Sequence, residues 1–132
     1  DLTLDILRST EALFGEEGLE KLIRHREAET LLNYQAEMAP AQSLQDRVAA
    51  LTAIRTREGY MADWEPHPDG GFLFVENHCP ICAAAALCQG LCRSELKIFQ
   101  AVLGAGAHVE RTDHILAGAR RCAYRISERS AA

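Results

Sequence analysis

Apolar positions along the chain recur at two different spacings, and the change between them divides it. In the first third they follow a helical period. Leu4, Ile6 and Leu7 begin an apolar face that Gly15 interrupts just after Phe14. A longer helix is predicted over Glu16 to Met38, a stretch rich in Glu, Leu, Lys, Arg and Ala, all good helix formers. At about 100° per residue, Leu19, Leu22 and Ile23 lie together, while Ala28, Leu31 and Leu32 fall nearly opposite. Two opposed patches suit either a helix crossing its own core or one packed between that core and a second body. Ala39-Pro40 stops this helix, because proline disfavours helical geometry in the residue before it. Ser43 fits an N-cap with Asp46 three residues on, and Val48, Leu51 and Ile54 carry the next helix to Glu58, with Gly59 as its stop.

From Gly59 the period becomes two. Tyr60, Ala62 and Trp64 alternate with Met61, Asp63 and Glu65, the pattern of a half-buried strand. His67-Pro68-Asp69-Gly70-Gly71 is turn chemistry, and Phe72-Leu73-Phe74-Val75 is the return strand, so the pair reads as a hairpin. Pro80 opens a further helical stretch in which Ile81, Ala85, Cys88, Cys92, Leu96, Phe99 and Leu103 share a face. Gly90 is placed to split it, with Ser94 capping the second piece. Strands follow around His108 to Thr112 and from Cys122, with Cys122, Tyr124 and Ile126 inward, Ala123, Arg125 and Ser127 outward, and a frayed tail over Glu128 to Ala132. The expected fold is α+β: N-terminal helices, then a small antiparallel sheet with a helical insertion, in one domain over residues 1–132.

Composition narrows the function. The charge is −5, whereas nucleic-acid affinity comes mainly from Lys and Arg neutralising phosphates, so the chain is poorly equipped to hold DNA by itself. The small basic clusters Arg24-His25-Arg26 and Arg120-Arg121 read as solvated faces. No apolar run approaches the roughly 20 residues of a membrane span, and the start carries no secretory signal, which points to the cytoplasm. The first residue is Asp1, not Met, as expected of a piece of a longer chain.

The five cysteines, Cys79, Cys82, Cys88, Cys92 and Cys122, are the most informative feature. An odd number without a secretory signal disfavours a disulfide framework and favours metal or redox chemistry. Thiolates are soft, charged donors suited to zinc and iron–sulfur clusters. Cys79-Pro80-Ile81-Cys82 is the single CxxC, with no second knuckle to complete a zinc ribbon. Cys79 precedes a helix, Cys92 lies on that helical stretch and Cys122 on the last inward-facing strand, so three elements can converge on one pocket. His78 and His114 are candidates for a fourth position. Cys88, on the apolar stripe, suits a packing role, because a protonated cysteine behaves as a small hydrophobe.

Four segments carry a resemblance: Glu76-Asn77-His78-Cys79-Pro80-Ile81, Leu91-Cys92-Arg93-Ser94-Glu95-Leu96, Glu110-Arg111-Thr112-Asp113-His114, and Gly118 with Cys122-Ala123-Tyr124-Arg125-Ile126. Together they resemble the C-terminal sensor domain of ArsR-like winged-helix predicted transcriptional regulators, including the Suf-type repressors of iron–sulfur cluster biogenesis. Leu13 to Leu19 and Glu58 to Ala62 also fit that pattern. The resemblance implies the sensing half of a homodimeric regulator, with DNA contacted through a separate N-terminal domain. It implies an iron–sulfur cluster held by Cys79, Cys92 and Cys122, with His114 at a recurrent position that suits either a metal ligand or a ring N–H holding a turn. His78 stands where the family commonly has Asn, and Cys82 and Cys88 are extra to it. A metal-free redox switch using Cys79 with Cys82, or Cys88 with Cys92, is the alternative. An enzyme with a cysteine nucleophile and His114 as base has no supporting motif.

Overall fold

The computed structural model of the protein describes residues 2–80, 90–114 and 117–129. Its element order is α1 (Leu2–Met38), α2 (Leu44–Arg57), β1 (Ala62–Pro66), β2 (Phe72–Glu76), α3 (Gly90–Leu103), β3 (Ala107–Asp113) and β4 (Cys122–Glu128). The fold is α+β, as the change of period implies. The readings of Ile81, Ala85, Cys82 and Cys88 lie outside the described residues.

α1 is two helices joined at Gly15, whose backbone (φ 75°, ψ 179°) is non-helical. Its second part has one buried stripe where two opposed patches were expected. Leu19, Ile23, Tyr34 and Met38 are all buried, and at about 100° per residue they fall within about 100° of arc. Leu31 extends this stripe against the main core, while Leu32, on the far side, is 67% exposed. Tyr34 and Met38, which the apolar count passed over, define the true face. α2 starts as its sequence implies: the Ser43 side chain accepts from the Asp46 N–H at 3.0 Å, closing an N-cap. It ends where Gly59 takes φ 96° and the Tyr60 N–H donates to the Arg55 carbonyl.

The strands form one antiparallel sheet in the order β1-β2-β4-β3. In the hairpin register Ala62 faces Glu76 and Pro66 faces Phe72. The strand begins two residues later than the alternation suggests. Tyr60 is buried but stands outside the ladder, because Met61 adopts a left-handed backbone (φ 49°) that turns the chain into β1. Gly71, at the turn's end, also has positive φ, and a Cβ there would strike the Ile126 carbonyl oxygen of the neighbouring strand. Trp64, Phe72, Phe74, Tyr124, Ile126 and Val109 turn toward α2 and α3. Phe99 of α3 meets Phe74 edge-on at 5.6 Å and Tyr124 at 5.1 Å, the preferred aromatic geometry.

Three further expectations are corrected. Ser94 does not cap a second helical piece: it lies within α3 with its side chain buried, and the helix runs through it. Ala123 is not outward in the solvent sense. β4 is flanked by β2 and β3, and a methyl group opposite Val75 is covered by its neighbours. The tail is tied down further than expected. Glu128 belongs to β4, and Arg129 donates from its backbone to Gly106 O at 2.7 Å and from Nε to Ala107 O at 3.1 Å.

Candidate functional site

The site residues gather where one end of the sheet meets α3. Cys92 lies in the first turns of α3 and is half-buried against a satellite cluster of Leu7, Leu19, Ile23 and Leu91. Leu7, Leu19 and Ile23 all come from α1, so Cys92 sits on the seam between α1 and α3. Cys122 is buried at the start of β4, opposite Glu76 at the end of β2. Cys79, half-buried, follows Glu76 by three residues in the chain.

His114 follows β3 directly, and the end of that strand is irregular. The register with β4 slips between Arg111 and Asp113, so Thr112 has no opposite partner. A bulge of this kind bends a strand and re-aims the side chains around it. Here it leaves Arg111 over the Tyr124 ring at 5.3 Å and brings His114 Nε2 to 3.4 Å from Cys92 Sγ. Arg111 Nη2 donates to the Cys92 carbonyl at 3.0 Å and to the Tyr124 hydroxyl at 3.3 Å, which ties β3 and β4 to the first turns of α3.

The Arg111 cation dominates the electrostatics of this corner. Burial, and then the Arg111 cation, hold His114 below the ordinary histidine range. Burial opposes the Arg111 charge, but the Tyr124 oxygen, followed by the sulfurs of Cys92 and Cys122, more than offsets it. A neutral imidazole keeps a lone pair available.

The donor set can be tested against a metal. With bonds of about 2.3 Å to sulfur and about 2.0 Å to nitrogen, two ligands of one tetrahedral ion stand about 3.5 Å apart. The Cys92–His114 separation of 3.4 Å matches this, and it also suits a sulfur–nitrogen hydrogen bond. Among the described residues no group of three or more His, Cys, Asp or Glu side chains converges to hold a metal ion. The structure therefore brings Cys92 and His114 together, sets Cys122 near the same arginine, and puts Cys79 beyond the neighbouring strand end. Soft thiolates and an imidazole suit zinc and iron, so the residues present fit such a group in kind.

Comparison of the chain with protein-family models, with curated proteins and with solved structures finds no match. The site therefore has to be read from its own chemistry.

Two features of this corner go beyond the cysteine and histidine pattern. Arg111 organises the first turns of α3, and nothing in its spacing announces that. The second is a buried ion network behind the site. Arg55 of α2 is 1% exposed, and its guanidinium is shared by Glu76 and Glu95, themselves buried. One sequence signal was available: Val48, Leu51 and Arg55 stand at i, i+3 and i+7, so an arginine continues a buried helical stripe.

Proposed function

We propose that the chain is the sensing domain of a DNA-binding transcriptional regulator and binds an iron–sulfur cluster through Cys79, Cys92 and Cys122, with His114 as the fourth ligand. The observation that carries this reading is the approach of His114 Nε2 to within 3.4 Å of Cys92 Sγ, at a corner where Arg111 binds the Cys92 carbonyl and Cys122 lies on the adjacent strand. The cluster, when bound, supplies a centre that oxygen or reductant can alter. The protein's own residues then do the rest: the thiolates hold it, Arg111 fixes the first turns of α3, and the α1–α3 seam against which Cys92 packs carries the change outward. The resemblance of the four motif segments supports a cytoplasmic repressor whose DNA contacts are made by a winged-helix domain. The acidic charge of this chain agrees with leaving DNA to another domain. Anaerobic purification with visible absorption spectra tests the reading: sulfur-to-iron charge-transfer bands that vanish in His114→Ala or Cys92→Ser support it, and a colourless anaerobic protein contradicts it.

A metal-free redox switch is supported by the same His114 contact, because an imidazole N–H within hydrogen-bond reach of the Cys92 sulfur can stabilise a reactive thiolate. It predicts a reversible disulfide on mild oxidation in protein that never held iron.

The regulator is proposed to work as a homodimer. No helix among the described residues is long and apolar enough to cross a membrane. The first part of α1 leaves apolar side chains in solvent. Leu2, Ile6, Leu13 and Phe14 are exposed on its first part, the last two by 75% and 71%. Symmetric regulators bind paired half-sites as dimers, which suits a second copy on this face. Sedimentation at tens of micromolar is expected to give a dimer for the unaltered chain and a monomer for the Leu13→Glu, Phe14→Glu double variant. A monomeric unaltered chain would refute the dimer.

A further inference from the structure

The buried network around Arg55 lies behind the thiol site: one of its carboxylates, Glu95, is on the helix that carries Cys92, and the other, Glu76, closes the strand paired with the one that carries Cys122. Arg55 Nε donates to Glu76 Oε2 at 2.6 Å and Nη2 to Glu76 Oε1 at 3.3 Å. Nη1 donates to Glu95 Oε2 at 2.8 Å and to the Tyr34 hydroxyl at 3.2 Å. The Tyr60 ring lies over the guanidinium, 3.4 Å from centroid to carbon, and keeps it from moving out of plane. Glu76 closes β2 opposite Cys122 and precedes Cys79 by three residues. Glu95 follows Cys92 by three residues, about one helical turn, on α3. One planar cation therefore fixes the end of β2, which pairs with the start of β4 at Cys122, against the helical turn that bears Cys92. The connection continues to α1, because Arg26 Nη1 stands 3.5 Å from the second oxygen of Glu95.

A buried ion network adds little net stability over apolar side chains of the same volume. Its distinctive effect is geometric, since a rigid fork of donors sets both the distance and the direction of each carboxylate. We propose that Arg55 is a positioning residue for the thiol site: by gripping Glu76 and Glu95 together it sets Cys92 against the β2 end that pairs with Cys122, and through Glu95 and Arg26 it couples Cys92 to α1. The part played in sensing rests on the proposed cluster function; the positioning of Cys92 does not.

The test follows the reduced, metal-free chain with iodoacetamide, resolving each cysteine by peptide mass spectrometry. Arg55→Lys keeps the charge but cannot hold both carboxylates with a planar fork. It is expected to speed alkylation of Cys92 about tenfold, the size of one charge-assisted hydrogen bond lost from a buried site, and to leave Cys122, held in the β-ladder, unchanged. Glu37→Gln, which breaks the exposed pair between Arg57 of α2 and Glu37 of α1, is expected to change neither rate. Should Arg55→Lys lose its fold by circular dichroism, Glu95→Gln takes its place with the same outcomes. An unchanged Cys92 rate, or Cys92 and Cys122 rising together as general loosening would produce, overturns the proposal. A wild-type chain that takes up no iron refutes the cluster reading and leaves the ratio of the two rates to decide this one.

Discussion

Arg55→Met is expected to cost the fold about 3–5 kcal/mol, a large share of the roughly 5–15 kcal/mol that keeps a domain folded. The methionine fills most of the volume, so the loss is not mainly a cavity. It comes from two carboxylates, Glu76 and Glu95, left in a dry interior with their cation gone. Even with Arg55 present, burial pushes the Glu76 carboxyl above its usual range, and Arg55, which also serves Glu95, only partly pulls it back. Chemical denaturation monitored by circular dichroism measures the loss. Adding Glu76→Gln and Glu95→Gln to Arg55→Met removes the stranded charges and is expected to restore more than half of it, since neutral amides bury at lower cost than carboxylates. A single variant as stable as wild type would show that the interior is wetter or looser than the hydrogen-bond geometry implies.

Cys92→Ser is expected to reduce bound iron to background in anaerobically prepared protein. Serine keeps the size of the side chain but offers a hard hydroxyl in place of a soft thiolate. The replaced atom is the sulfur that His114 approaches, so the variant removes one half of the Cys92–His114 donor pair. Stability is expected to change little, because Cys92 is only half-buried and a hydroxyl can meet water at the helix surface. Cys88→Ser is expected to keep most of its iron, in line with a packing role for that residue. Iron determination with a denaturation curve on each variant checks both statements and separates ligand loss from unfolding.

Helix ends and the hairpin were legible because they depend on local chemistry. Ser43 caps, Gly15 and Gly59 break, and the His67 to Gly71 turn reverses the chain, each through its own backbone preference. The α1 stripe was misread because an apolar count passes over tyrosine. Tyr34 is buried with its hydroxyl donating to Glu58, and it sets the face that Leu31 joins. Ser94 was taken for a cap because serine is common there, whereas tertiary packing put it inside α3. Of the Arg55 network only the arginine's place on the Val48–Leu51 stripe was legible, not its partners. Hydropathy patterns score a charged residue as exposed, and what buries Arg55 is the meeting of Glu76 and Glu95 from elements distant in sequence. Cys92 and His114 were named from type and spacing, but their contact depends on the bulge at Thr112, which no period reveals.

The most direct measurement of the central claim is the iron and acid-labile sulfide content of the chain purified without oxygen, beside a variant with Cys79, Cys92 and Cys122 all changed to serine. The cluster reading predicts iron and sulfide in comparable amounts in the unaltered chain and neither in the triple variant. Equal iron in the two proteins, or none in the unaltered chain, would contradict it.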